Sequence, residues 1–365
     1  MRFAIFGLTI SSSWGNGHAT LWRGLLGALA RRGHRAVFFE RNAPYYASHR
    51  DRTAIPGVEL VLYHDWASVR DRAAADIAVA DVAMVTSYCP DALAATDLIL
   101  DLSANGSGPR LRAFYDLDAP VTLSRVRDGL PVDYLGPLGL APFDLVLSYA
   151  GGAALTLLRK RLGARRTAPL YGSVDPEVHR PVSPADTYRS DLSYLGTYAE
   201  DRQPGLEQLL VVPARRRPER RFVIGGSGYP DDIAWPPNVR MVRHVPPPEH
   251  ARFYSSSRLT LNVTRRPMLE TGFCPSGRLF EAAACAAAVL TDAWEGLDHF
   301  FEPGREILVA RTSQEAAHAL EMPPEELLAV GLAGRKRALA EHTADRRAAE
   351  LEEIVARAST ARVRG

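Results

Sequence analysis

His18 stands in SSSWGNGHATLWRGLL (11–26), directly after the apolar run RFAIFGLTI and at the head of an amphipathic segment. Gly15 and Gly17 flank Asn16, and a loop of this kind can do either of two jobs. It can cradle phosphate on backbone N–H groups, as dinucleotide turns do. It can instead present His18, whose imidazole titrates near neutrality, to a substrate proton. A second constellation lies in CPSGRLFEAAACAAAVLTD (274–292). Pro275 and Ser276 mark a helix start, with Ser276 the natural cap, and the free N–H groups near Ser276 and Gly277 make an anion site at the positive end of the helix dipole. Glu281 lies one turn further along the same face, where a carboxylate can accept both hydroxyls of a ribose. The plain alternative is a capped, buried helix carrying a surface glutamate. FYDLDAPVTL (114–123) holds Asp116 and Asp118, a DxD spacing that suits either a divalent ion on a diphosphate or a simple turn. YAGGAAL (149–155) places Gly151 and Gly152 at a strand-to-helix junction, and His64 and Asp65 follow VELVLY, where loop surface is the default.

Short apolar runs alternate with amphipathic ones along the whole chain, and these must position the candidates. RFAIFGL, RAVFFE, VELVLY, VAMVTS, DLILDL, VTLSRV and FDLVLSY read as strands in the first half; LSYLG, RRFVIGG, VRMVRHV, LTLNVT, AAVLTD and EILVA read so in the second. ATLWRGLLGALARRG is the clearest helix, with Leu21, Leu25 and Leu29 on one stripe and Gly33 closing it. Alternation of this kind implies an α/β protein with parallel sheets covered on both faces. There are too many strands for one open sheet, so two doubly wound domains are expected. GSVDPEVHRPVSPADT (172–187), rich in Pro and Ser, is the expected linker between a domain over 1–171 and one over 188–340. Residues 341–365 form a charged C-terminal helix expected to pack back on the first domain.

The 365 residues are 46% hydrophobic and 24% charged with a formal charge of +2, too balanced to suggest a nucleic-acid partner. ARRRPERR (214–221) reads as a solvated helix end. Cys89, Cys274 and Cys285 lack CxxC spacing and are odd in number, which argues for a reducing, cytoplasmic setting and against a disulfide framework or zinc site. The N-terminal apolar run reads as a buried first strand and not as a signal peptide, and EAAACAAAVL (281–290) is too short to span a bilayer.

In the order of its motifs the chain resembles the GT-B glycosyltransferases, most closely the branch that includes CgeB-type spore-maturation proteins. YGSVDPEVHRP (171–181) is similar to that superfamily's interdomain element, LSYLGTYAEDRQPGLEQLL (192–210) to the first strand and helix of its donor domain, and WEGLDHFFEPGREILVA (294–310) to the segment after the donor helix. The resemblance covers most of residues 144–320. It implies two Rossmann-like domains facing across a cleft, with a nucleotide-sugar on the second and an acceptor mainly on the first. Arg202, six residues after Gly196, would hold the donor diphosphate together with Arg265, Arg266, Arg278, Ser276 and Gly277. Glu281 would bind the ribose, and the loop at His244 and Val245 would pack on the base. Gly15, Asn16, Gly17, Gly151 and Gly152 would line the acceptor side. His18, with Asp118 or Asp116, would take the acceptor proton. The resemblance thus implies transfer of a hexose-type sugar, from UDP as first guess, to a hydroxyl-bearing glycan or small molecule. No metal and no other cofactor is expected, nor any integral membrane segment, and the protein is expected as a monomer or homodimer. One departure from the family is Phe273, at a position where many retaining members carry a glutamate, with Glu270 three residues earlier.

Two other classes remain open on these residues. Gly15-x-Gly17 followed by Glu40 at the end of the second strand is compatible with a nicotinamide oxidoreductase, although Thr20 stands where the third glycine would be. A sugar-nucleotide epimerase of the same fold, or a non-catalytic binder, would share the donor site but need no acceptor.

Overall fold

The computed structural model describes residues 1–363, with side chains to residue 360. The chain forms two compact units. One comprises Met1–Tyr171 together with the C-terminal helix Ala344–Val363; the other is Gly172–Thr343.

The first unit is built on β1 (Arg2–Gly7), β2 (Arg35–Arg41), β3 (Val58–Tyr63), β4 (Val82–Thr86), β5 (Leu111–Asp116), β6 (Leu145–Ser148) and β7 (Thr167–Pro169). All pair in parallel in the order β3-β2-β1-β4-β5-β6-β7. Because both faces of such a sheet are covered, its strands are continuous apolar runs and not alternating ones; every residue of β4, VAMVT, is buried. The helix His18–Arg31 buries Leu21, Leu25 and Leu29 along with Trp22 and Leu26, and left-handed Gly33 (φ 83°) follows it. Its outer neighbour is the C-terminal helix, whose Ala344, Ala348, Leu351 and Val355 join the same core. A side chain at Gly24 would meet Ala344 Cβ at 3.4 Å, so the missing side chain helps the two helices lie close. Arg32 pairs with Glu352 at 2.6 Å and Arg31 with Asp345 at 2.9 Å. Such partly exposed pairs contribute little beside the apolar stripe.

The second unit repeats the plan with β8 (Ser190–Leu195), β9 (Phe222–Gly225), β10 (Val239–Val242), β11 (Ser257–Asn262), β12 (Ala288–Thr291) and β13 (Leu308–Val309). These are again all parallel, in the order β10-β9-β8-β11-β12-β13. Both sheets reverse direction of winding next to their first strand, between β1 and β4 and between β8 and β11. In open α/β sheets ligands bind outside the carboxyl ends of the strands at that switch point, so the loops after these four strands are the places to search.

Several segments differ from the sequence reading. DLILDL (97–102) lies inside the helix Ala92–Ala104 and VTLSRV (121–126) inside the helix Ala119–Arg127, while LRAFYD is the strand β5. The helix Ala92–Ala104 buries Leu98 and Ile99 on one face, and its short apolar stretch Leu98–Leu100 is not separated from a buried strand by periodicity alone. Residues 172–187 fold with the second unit: Val182 and Ala185 donate their N–H groups to Ser255 Oγ and Ser256 Oγ at 3.1 and 2.9 Å, and Val174 N–H bonds His342 O at 2.9 Å.

Candidate active site

In the first unit the chain leaves β1 into the loop 8–17. This loop is held from below by Glu40, fully buried at the end of β2, which accepts the N–H groups of Ile10 (2.7 Å) and Ser11 (3.0 Å) and the Ser11 hydroxyl. A carboxylate engaged in this way is not available to a dinucleotide ribose, and the oxidoreductase reading loses its acidic residue. Asn16 is likewise internal: its Oδ1 accepts the His18 N–H at 3.0 Å and its Nδ2 donates to Thr9 O at 3.4 Å. At 6% exposure Asn16 is a strut that starts the helix, not the cleft-lining group expected from sequence. Gly15 has φ 61°, and a Cβ there would stand 3.1 Å from the Tyr45 hydroxyl; Gly17 takes the N-cap position and makes no side-chain cap.

His18 opens the helix half-buried, with its Nδ1 buried and without a hydrogen-bond partner among the described residues. Its ring lies 5.9 Å from that of Tyr88. Burial lowers the His18 pKa below the ordinary imidazole value against the opposing pull of the Asp118 charge. Tyr88 follows β4 with φ 64°, a left-handed conformation that costs a residue of this size about 1–3 kcal/mol. The strain sets the ring beside His18 and lets its hydroxyl donate to Asp118 Oδ2 at 2.9 Å. Asp116 behaves differently. It is fully buried, accepts the Asp118 N–H at 3.0 Å, and is pushed up to about 7 by burial. The DLD segment is therefore not an open pair of carboxylates: Asp116 shapes the turn and Asp118 faces the tyrosine and histidine. Gly151 caps the helix Gly152–Leu162, and Gly152 has φ 53°. Asp65 caps the helix Trp66–Ala78 by accepting from Ser68 N–H, and His64 is exposed.

The second unit brings three guanidinium groups towards one spot at the carboxyl ends of β8 and β11. Arg202 donates to Tyr194 Oη and to Thr197 O, both at 3.1 Å, and its buried Nε has no partner among the described residues. Arg278, in the first turn of the helix Gly277–Ala284, bonds Asn262 Oδ1 at 3.1 Å and lies 5.4 Å over the Tyr194 ring. A Cβ at Gly196 would stand 2.8 Å from Tyr194 Oη and 3.0 Å from Arg278 Nη2, so a side chain there would displace both groups. Burial, and then the charges of Arg278 and Arg265, hold the Arg202 pKa below its ordinary value. Arginine stays protonated regardless, so the lowering measures surplus positive charge in a dry site. Arg265 is tempered by Asp201 at 3.2 Å. Arg266 does not join: its side chain is 78% exposed and pairs with Glu270 at 3.2 Å.

Ser276 occupies the N-cap of the helix Gly277–Ala284, but its side chain makes no capping bond, contrary to the expected cap. The turn before it has Gly272 at φ 65° and Phe273 at φ 45°; Leu279 N–H bonds Ser276 O at 3.0 Å, and the Gly277 and Arg278 N–H groups have no intrahelical acceptor, as at any helix start. One turn on, Glu281 is 14% exposed; its Oε2 accepts from Tyr254 Oη at 3.3 Å, and His179 Nε2 and His250 Nδ1 lie 4.0 and 3.8 Å from its two oxygens. Burial opposes its ionisation, yet the two imidazoles and Arg278 lower its pKa overall, so it is a carboxylate at neutral pH. Val245 is 4% exposed, and a Cβ at Gly225 would meet it at 2.8 Å. Its side chain is core, not a surface for a base, because β9 ends on a glycine that it fills; its carbonyl instead accepts from His250 Nε2 at 3.1 Å. His244 is half-buried and within electrostatic reach of His250. Tyr194, Tyr88, His179 and His250 were not singled out from sequence; the two histidines stand alone in the chain and no spacing marks them.

Residues 202–353, most of the second unit and the start of the C-terminal helix, match the family model of glycosyl transferase-like domains. The second unit is glycosyl transferase-like. Solved structures similar to the whole chain agree in fold. Sucrose-phosphate synthase from Thermosynechococcus elongatus is 15% identical with a TM-score of 0.70, over 99% of both chains. The catalytic domain of starch synthase IV from Arabidopsis thaliana, bound to ADP and acarbose, is 13% identical with a TM-score of 0.69 over 98% of this chain and 99% of its own. HepE of Anabaena, in complex with UDP and glucose, is 13% identical with a TM-score of 0.66 over the same shares. No curated protein sequence matches. The fold is the GT-B fold seen in these glycosyltransferases.

Proposed function

We propose that this protein is a glycosyltransferase that moves a sugar from a nucleoside diphosphate, UDP first, to a hydroxyl acceptor without using a metal ion. The observation that carries the reading is the convergence of Arg202 and Arg278 about Tyr194 at the switch point of the second sheet, with Glu281 one turn into the adjoining helix. Guanidinium groups match phosphate oxygens, and the surplus charge left by Arg202 calls for an anion. The N–H groups at the helix start add to the cradle. Glu281, an ionised carboxylate a turn deeper, suits the ribose diol. HepE and an α-glucosyltransferase are described with UDP and starch synthase IV with ADP, which supports a nucleoside diphosphate and favours UDP.

In the reaction so proposed, a bond forms from the acceptor oxygen to the anomeric carbon as the bond from that carbon to the diphosphate oxygen breaks. Arg202, Arg278 and the Gly277 amide stabilise the negative charge that develops on the leaving diphosphate. His18 takes the acceptor proton, and Asp118, fixed by Tyr88, stabilises the imidazolium formed. Assignment to the CgeB-like branch rests on motif order, and a cytoplasmic setting on three buried cysteines with no disulfide among them. Among the described residues no helix is long and apolar enough to cross a membrane.

Replacing Glu281 by alanine is expected to weaken UDP binding roughly 10- to 100-fold, the loss of hydrogen bonds to one charged group, with the far-UV circular dichroism unchanged. Calorimetric titration of UDP decides this; unchanged affinity removes the ribose role. Transfer is also expected to run at full rate in EDTA, measured as UDP release. A strict requirement for added Mn²⁺ would show that the arginines do not suffice for the leaving group.

A further inference from the structure

His179, His250 and Glu281 come from three separate segments of the second unit, yet one donor atom from each lies within 4.8 Å of the other two. His179 is 5% exposed and, among the described residues, neither of its ring nitrogens has a hydrogen-bond partner. An imidazole buried in this way costs free energy that a ligand would recover. His250 is locked in the opposite sense: its Nε2 bonds the Val245 carbonyl at 3.1 Å, which leaves Nδ1 directed at the Glu281 carboxylate. A backbone carbonyl holding the far nitrogen is the usual way a ligating histidine is oriented. Tyr254 steadies the carboxylate in turn, by its bond to Oε2 at 3.3 Å.

We propose that these three residues form a binding site for a borderline-soft divalent cation, Zn²⁺ by the chemistry of its donors, which shares Glu281 with the nucleotide ribose. Two imidazoles and one carboxylate are a recurrent tripod for zinc with a fourth position left open. In tetrahedral zinc the donors are about 3.3–3.5 Å apart, so the 3.8 and 4.0 Å separations close with small side-chain shifts. Arg278, the cation nearest the carboxylate, is held by Asn262 and Tyr194, and Cys285 and His244 are the other titratable neighbours of the cluster. The site is inhibitory by construction: a Glu281 carboxylate bound to zinc cannot accept a ribose diol. Three groups from segments that sequence places far apart act here as one receptor, and it takes either ligand but not both.

The test uses the full chain, freed of metal by a chelator and titrated with Zn²⁺ against a chromophoric competitor. One equivalent is expected to bind, with His179→Gln and His250→Gln each weakening it at least ~10-fold while circular dichroism stays unchanged. Equal affinity in wild type and both variants overturns the site. Co²⁺ gives a readout that needs no variant. Visible bands of four-coordinate Co²⁺ saturating at one equivalent support the site, and a spectrum without them overturns it. Zinc binding that UDP does not weaken leaves the cation site standing and overturns the sharing of Glu281. Tight UDP binding with no zinc uptake overturns the cation site and leaves the nucleotide reading intact.

Discussion

Replacing His18 by alanine is expected to lower kcat by roughly 10²–10⁴-fold, the range for loss of a positioned general base, while UDP-sugar affinity stays at the wild-type value. The separation follows from placement: His18 belongs to the first unit, and every group assigned to the nucleotide belongs to the second. Steady-state rates alongside calorimetric titration of UDP measure the two effects. A parallel loss of affinity would move His18 to the donor side, and an unchanged kcat would make it a helix-start residue only. The pH profile carries the same assignment. Burial keeps the His18 pKa below the ordinary imidazole value, so the ring is neutral at pH 7 and stays neutral on mild acidification. The acid limb of the rate profile is therefore expected below about pH 6.5, and Tyr88→Phe, which frees Asp118 of its hydroxyl partner, should shift it. An acid limb at or above the ordinary imidazole value contradicts the buried, neutral base.

Arg202→Ala is expected to reduce kcat by roughly 10²–10³-fold, the cost of deleting one preorganised donor to developing charge. The side chain is half-buried, and the charges of Arg278 and Arg265 act on it, so the empty protein loses a repulsion when it is removed. Its melting temperature should hold or rise, whereas the stabilisation produced by saturating UDP, which follows mass action, should shrink. Arg266→Ala, exposed and paired with Glu270, should change neither. A fall in melting temperature without a change in turnover would mean that Arg202 serves the Tyr194 contact and not the diphosphate.

Much of this architecture was readable from residue order. The apolar runs of β1, β2, β4, β8, β9 and β12 stand out because strands covered on both faces have no polar side to show. The same simplicity misled at DLILDL: a helix buried along Leu98 and Ile99 within an already apolar stretch carries no period that marks it as helix. On the candidate site, the position of Glu281 was legible because a helix start has a local signature, and Arg202 was indicated only by the resemblance, which counts six residues on from Gly196. His179 and His250 were not, since their meaning arises only when residues 71 positions apart in the chain meet at one carboxylate. Asp116 and Asp118 looked equivalent in sequence and differ only by burial, which a two-residue spacing does not encode. Val245 was misassigned for the converse reason: nothing local says that a strand-end valine turns inward over Gly225.

The C-terminal helix has a bearing on synthesis. The stripe of Leu21, Leu25 and Leu26 near the amino end shares its core with Leu351 and Val355 near the carboxyl end, while Gly172–Thr343 is a continuous stretch containing its whole sheet. A nascent chain therefore holds every residue of its second unit before it holds all of its first. Domains fold as units while they emerge, so the later-numbered body can close first. The earlier-numbered one stays open along a helix face until residues 344–358 have left the ribosome.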